Sequence, residues 1–311
     1  AAERSSHRAA EALRREATQV ERAITAETEL ARVGALVVES TSVVALGPRS
    51  TRWIAYAPVT RALQASLDAL APTDGPIALV AAPGVSLRPS AGRLHSVGPR
   101  SERGLMVLDA SALDPRAVLP TLLGDARGEG TKPGWLERAA GATLLIEHAV
   151  ALGHEGLTAL ASALERASAR RLGDETAYGV DVRLILGLPR DPAECDLPTS
   201  LARRLAGRVA RVPTLRERTE DLESLVYAAI DRACRCADRS PLGITPEALA
   251  ALRAYPWPGE LPELEAALAH SVAAARGSRV QRDDLPPLVR ASVFQVGRGD
   301  DDRPRGAALD D

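Results

Sequence analysis

The run Ile77-Ala78-Leu79-Val80-Ala81-Ala82 decides how the chain folds. It is apolar throughout instead of alternating, which is typical of a strand in a parallel sheet covered on both faces. Three more runs of this kind follow, at Gly104 to Leu108, Ala142 to Ile146 and Val180 to Leu188, with helical stretches between them. Strands that alternate with helices predict an α/β fold with three layers, a parallel sheet between two layers of helices.

The pattern changes on either side of these runs. Pro58 to Leu70 has apolar residues at helical spacing and precedes the first strand. From Arg216 onward we expect the strands to stop, because only helical patterns follow. These cover Glu220 to Asp238, Pro246 to Ala254 and Glu260 to Arg276, and they predict a smaller helical bundle.

The two ends of the chain differ from its centre. Residues 1–34 carry a narrow apolar seam that predicts an amphipathic helix, which suits either a short coiled coil or packing on the chain's own domain. Residues 35–52 are rich in β-branched residues and predict a strand or hairpin linker. Residues 293–311 are acidic and rich in glycine, which favours a disordered tail.

Composition limits the possible functions. With 311 residues, 45% of them hydrophobic, the chain can bury a sizeable core, and a net charge of -2 provides no bulk field that attracts nucleic acid or an anionic membrane. No apolar run approaches the roughly 18 residues of a membrane span. Cys195, Cys234 and Cys236 form no disulfide framework, so we expect a cytoplasmic location. Lys132 is the only lysine, so only this residue could serve a phosphate-binding loop.

Three stretches carry a family resemblance. The segment from Tyr255 to Glu265 resembles the YPWPGNVRELEN signature of the AAA+ ATPase domains that activate sigma-54 RNA polymerase. The segment from Val212 to Asp221 is similar to the LPPLRERxEDI motif of that family, and Gln281 to Pro286 to its closing xxxDLP. The resemblance implies an AAA+ α/β core at residues 53–215 and a helical lid at residues 216–292.

The resemblance also places the ATP site, and most of its residues are replaced. The family loop GESGTGKE falls on residues 81–88, where Gly84 is kept, Leu87 takes the lysine position and Arg88 follows it. Pro83 removes one N–H donor from this loop. A P-loop needs glycines, a lysine and converging N–H groups to hold phosphate, so we expect no ATP cofactor. Arg88 or Arg93 could instead anchor another anion, although we expect solvated side chains.

The catalytic positions implied by the resemblance are also changed. Glu147 takes the place of the magnesium-linked Asp, and His148 that of the Glu that polarises water. The polar sensor ATN becomes residues 187–189, Gly-Leu-Pro, and Pro262 replaces the lid arginine. Of the two arginines that act on a neighbour's site, only Arg204 remains, because the first position is Pro198. We therefore expect no enzyme activity and no catalytic residue.

Two groups of potential metal ligands were considered. Glu147, His148, His154 and Glu155 are close in sequence, but a metal site needs several ligands in fixed geometry, so we predict no metal. Cys234 and Cys236 lie two apart on a predicted helix and point in opposite directions, so they cannot chelate one ion together.

The sequence leaves three functions open. We favour a non-catalytic regulatory module, a pseudo-ATPase that binds protein partners, either itself or AAA+ paralogues, in transcription regulation or signalling. The GAFTGA loop that engages sigma-54 corresponds to the shorter segment Leu123 to Glu137, so direct sigma-54 contact is not expected, and neither DNA nor membrane binding is predicted. The alternatives are a divergent ATP-binding activator with residual ATPase activity and a structural domain of a larger polypeptide.

Overall fold

A computed structural model describes residues 53–128 and 130–292. The expectations for residues 1–34, 35–52 and 293–311 lie outside this range. Five parallel strands form the central sheet in the order β2-β5-β8-β1-β9. They are β1 (Ile77–Ala81), β2 (Leu105–Asp109), β5 (Thr143–Glu147), β8 (Arg183–Leu188) and β9 (Val209–Val212).

Helices cover both faces of this sheet, so the predicted three-layer core is confirmed. Successive strand residues point to opposite faces, so each run of apolar residues supplies two hydrophobic clusters. One face packs against α1 (Pro58–Leu70) and α2 (Arg88–Ser96). The other packs against α3 (Val118–Leu123), α4 (Trp135–Arg138), α5 (Gly153–Arg166) and α6 (Thr199–Leu205).

The lid is a separate helical unit with its own apolar cluster. It consists of α7 (Thr219–Cys236), α8 (Pro246–Ala254), α9 (Glu260–Ala274) and α10 (Pro287–Ala291). Trp257 is buried in this cluster and donates its indole N–H to the Leu252 carbonyl at 2.9 Å, so it packs the lid. Cys234 is buried whereas Cys236 is exposed, as their spacing predicts.

The structure corrects two expectations about strands. Strands do not stop at Arg216, because β10 (Gly243–Ile244) and β11 (Arg279–Val280) pair in parallel within the lid. The strand β9 was also missed, because its residues alternate between buried and partly or fully exposed positions at the sheet edge. Both elements are too short or too exposed to leave a clear hydrophobic period.

Two small hairpins complete the core. The segment that replaces the GAFTGA loop folds back through β3 (Gly124–Asp125) and β4 (Lys132–Pro133), which are antiparallel. The second hairpin joins β6 (Ser168–Arg170) to β7 (Ala177–Gly179). The two lie against each other, since Leu172 accepts a hydrogen bond from the Ala126 N–H at 2.8 Å.

Candidate functional site

Five of the predicted site residues lie at the carboxyl ends of the central strands, where open α/β sheets bind ligands: Gly84, Leu87, Arg88, Glu147 and His148. A loop at residues 82–87 joins β1 to the first turn of α2. Gly84 adopts a φ of 85°, a conformation that glycine takes without strain. Gly84 lies within a turn in which Val85 donates its N–H to the Ala82 carbonyl at 3.2 Å.

Leu87 is turned into the protein core. It is only 7% exposed and belongs to the apolar cluster that packs α2 on the sheet. A Cβ added to Gly187 on β8 would lie 2.4 Å from Leu87 Cδ1, so the absent side chain of Gly187 makes room for the leucine. Leu87, at the position that the resemblance gives to a phosphate-binding lysine, is thus part of the packed core.

Two prolines also remove N–H donors from the loop and from helix α2. Pro83 lies in the loop, and Pro89, which the sequence reasoning overlooked, lies in the first turn of α2. A proline carries no amide hydrogen, so each removes a group that could point at a phosphate. No side chain caps this helix and its first turn holds no acidic residue.

Arg88 pairs with the carboxylate at the end of β5. Its Nε atom lies 3.2 Å from Glu147 Oε2, and the two side chains are 42% and 12% exposed. Burial raises the pKa of Glu147, and the Arg88 guanidinium offsets part of this shift. Arg88 is thus paired as well as partly exposed to solvent, and Arg93 is likewise engaged, by two hydrogen bonds to Asp68.

His148 forms a second polar pair, with a residue that sequence reasoning missed. Its Nδ1 atom lies 3.0 Å from Oδ1 of Asp109, the last residue of β2. This contact raises the pKa of His148 and lowers the pKa of Asp109 to about 2. Asp109 is opposite Glu147 in the parallel register, and its place at the end of an apolar strand run is the signal that could have found it.

The other predicted site residues lie apart from this group. Arg204 is exposed in the last turn of α6, and Pro198 is the residue before that helix. Pro262 is exposed in the first turn of α9. Gly187 and Leu188 end β8 without offering a polar side chain.

His154 and Glu155 do not join His148 in a metal centre. Within the described residues no group of three or more His, Cys, Asp or Glu side chains could hold a metal ion. His154 lines a cavity of about 350 Å³ between the start of α5 and the loop after β8, together with Arg190 and Cys195. The Cys195 thiol lies 3.5 Å from the Arg190 carbonyl oxygen there.

The lid contacts the loop directly. A Cβ added to Gly84 would lie 3.6 Å from the Pro258 carbonyl oxygen and 3.8 Å from Glu260 Cγ. Glu260 accepts a hydrogen bond from the Leu215 N–H at 2.6 Å, and its own φ is 57°. Asp221 ties the lid to the core as well, since it accepts hydrogen bonds from the Ala57 N–H at 2.8 Å and the Thr60 hydroxyl at 2.5 Å.

The parallel sheet with its helical lid defines the class of an AAA+ fold. Residues 54–213 match the family described as "Sigma-54 interaction domain". Residues 216–299 match the family described as "AAA+ ATPase lid domain". The chain belongs to the family of sigma-54 interaction domains. Within the described residues, no helix has the length and apolar character needed to cross a membrane.

Known relatives are transcription regulators. The transcriptional regulatory protein ZraR of Klebsiella oxytoca is 29% identical over 254 residues, which cover 78% of this chain and 57% of that protein. The anaerobic nitric oxide reductase transcription regulator NorR of Aliivibrio fischeri is 31% identical over 244 residues, covering 75% of this chain and 47% of that protein. The chain thus spans about half the length of these relatives.

The solved structures support the fold. NtrX from Brucella abortus, crystallised in complex with ATP, has a TM-score of 0.70 at 23% identity, covering 94% of this chain and 63% of that chain. The ADP complex of the same protein has a TM-score of 0.69 at 24% identity, covering 88% and 59%. At this level of identity the likeness concerns the fold alone.

Proposed function

We propose that this chain is a pseudo-ATPase, a non-catalytic regulatory module of the sigma-54 activator family that acts through protein–protein contacts. The observation that carries the proposal is the pairing of Leu87 with Gly187. A buried hydrocarbon stands where a phosphate requires an ammonium group, and the core packing holds it there. Magnesium triphosphate does not fit the side chains that surround the loop.

The neighbouring residues support the same proposal. The Glu147 carboxylate is already paired with Arg88, and His148 is directed to Asp109, so neither side chain is free to act on bound water. Pro189 and Pro262 occupy the positions that the resemblance gives to the two polar sensors. Hydrolysis requires several such groups to stabilise the charge that develops on the phosphate, and they are replaced together.

The partners we propose are proteins, either further copies of this chain or AAA+ paralogues. Arg204 is exposed on α6 and remains available for contact with a neighbour. The short hairpin of β3 and β4 carries no GAFTGA sequence, so we do not include a direct sigma-54 contact. A cytoplasmic location and the absence of DNA and membrane binding belong to the same proposal.

A divergent ATP-binding activator is the second candidate. Family membership favours it, because the relatives are transcription regulators and NtrX from Brucella abortus has been crystallised with ATP. A structural domain of a larger polypeptide is the third, and the partial coverage of the relatives is compatible with it. Binding of nucleotide would distinguish the second candidate from our proposal. Absence of partner binding would distinguish the third.

Isothermal titration calorimetry with ATP and magnesium chloride tests the proposal. We expect no binding heat at micromolar protein concentration, whereas NtrX from Brucella abortus serves as the positive control. Micromolar affinity of the chain for ATP would contradict a pseudo-ATPase and favour the second candidate. In a parallel assay with an active paralogue, the absence of both co-elution and any change in ATPase rate would favour the structural role.

A further inference from the structure

The two carboxylates at the ends of β2 and β5 are neighbours. Asp109 and Glu147 are paired in the parallel register of the sheet, and Glu147 is only 9% exposed. A buried carboxylate that lacks a counter-charge is costly, because it loses its hydration without compensation. Asp109 has His148 and the Ser111 hydroxyl as partners, at 3.0 and 2.7 Å, and Glu147 has Arg88.

Arg88 is placed against the preference of its own helix. It is the first residue of α2, where the partial positive charge of the helix end disfavours a cation. No acidic residue lies in that first turn, so the helix itself offers no compensation. The Glu147 carboxylate, 59 positions away in the chain, supplies the compensating negative charge.

We propose that the Arg88 guanidinium is a built-in counter-cation of this site, occupying the place next to Glu147 that the family resemblance gives to magnesium. The inference deepens the proposed function and rests on it, because a chain that bound magnesium nucleotide would have to displace this guanidinium. It assigns Arg88 a positioning role, which is to keep the end of β5 and the start of α2 together without a ligand.

The first test is a divalent-cation response in the absence of any nucleotide. We expect the melting temperature of the wild type to be unchanged by millimolar magnesium or manganese chloride. Arg88→Ser should melt lower by at least about 3 °C, because Glu147 is left without its cation. Either metal should restore part of this loss, since hard divalent cations prefer carboxylate oxygens. A response of Arg88→Ser no larger than that of the wild type would overturn the proposal.

Two further variants keep the test decisive if Arg88→Ser folds poorly. Arg88→Lys keeps a cation and should show no metal response, and Arg88→Ser combined with Glu147→Gln should melt higher than Arg88→Ser alone. If the losses of Arg88→Ser and Glu147→Gln simply add, the two side chains are not coupled and the proposal fails. Because no nucleotide is present, failure here is separate from the calorimetric result for ATP.

Discussion

At the scale of single residues, the site is shaped by pairs that are distant in sequence. Leu87 and Gly187 are complementary in shape, because the missing side chain of the glycine accommodates the leucine. Neither residue alone reveals this, since a leucine after a loop and a glycine near a strand end are both ordinary. Their contact explains why Leu87, at the end of the loop after β1, is part of the core.

Substitution of Gly187 tests this contact. We expect Gly187→Ala to lower the free energy of unfolding by about 1–3 kcal/mol, because its Cβ would lie 2.4 Å from Leu87 Cδ1. Combining it with Leu87→Ala should cost less than the sum of the two single changes. Urea unfolding measures both effects. Gly179→Ala on β7 is the control, because nothing lies within 4 Å of its new Cβ. Equal losses at the two glycines would contradict the contact.

The pair of His148 and Asp109 predicts a dependence of stability on pH. Since the pKa of His148 is raised from 6.5 in the folded protein, its contribution is complete below that pH and is lost as the pH rises through the folded value. The pKa of Asp109 is lowered from 3.8 to about 2. Its contribution to stability is therefore present above pH 3.8 and is lost as the pH falls towards about 2.

Melting temperatures measured across this pH range check the prediction. His148→Gln removes the titrating imidazole, so the decline in stability above neutral pH that belongs to this pair should disappear. His270→Gln is the control, because that side chain is exposed on α9. An unchanged pH profile in His148→Gln would show that the pair does not contribute.

At the scale of elements, the lid is held on the core by acidic side chains. Asp221 in the first turn of α7 accepts hydrogen bonds from the Tyr56 and Ala57 N–H groups and from the Thr60 hydroxyl, and so fixes the start of α1. Glu260 makes the second tie, to the Leu215 N–H. Burial raises the pKa of Glu260, which is consistent with its 8% exposure. The contacts of Asp221 join the lid to the core.

Removal of the first tie should be costly. Asp221→Ala leaves three donors around the start of α1 without their acceptor, so we expect a loss of more than about 2 kcal/mol in the free energy of unfolding. Asp231→Ala on the same helix removes only an exposed pair with Arg235, which should cost below about 1 kcal/mol. Denaturant unfolding and hydrogen exchange of the Ala57 amide measure the difference. Similar losses in both variants would argue against a tie at Asp221.

At the scale of the whole molecule, the chain keeps the architecture of its family. Helices cover the central sheet on two faces, and the lid has its own apolar cluster. The AAA+ fold is therefore kept in a chain that is about 30% identical to its relatives. Gly84 of the loop approaches Pro258 and Glu260 of the lid, so the two units meet at the candidate site.

The fold class, the lid and the family could all be predicted from the amino-acid sequence. The continuous apolar runs predicted the strands because a strand buried on both faces leaves no polar position, and the motif from Tyr255 to Glu265 located the lid. Its family resemblance also predicts which residues stand at the catalytic positions. These features depend on local order along the chain, which the sequence displays directly.

Only the tertiary structure decided how those residues interact. The inward turn of Leu87, the pairing of Arg88 with Glu147 and the pairing of His148 with Asp109 all join separate strands and loops. The two-residue strands of the lid were missed for the same reason, since they are defined by hydrogen bonds to each other. Contacts between distant segments depend on the register of strands and on the space left by packing, and neither leaves a periodic signal in the sequence.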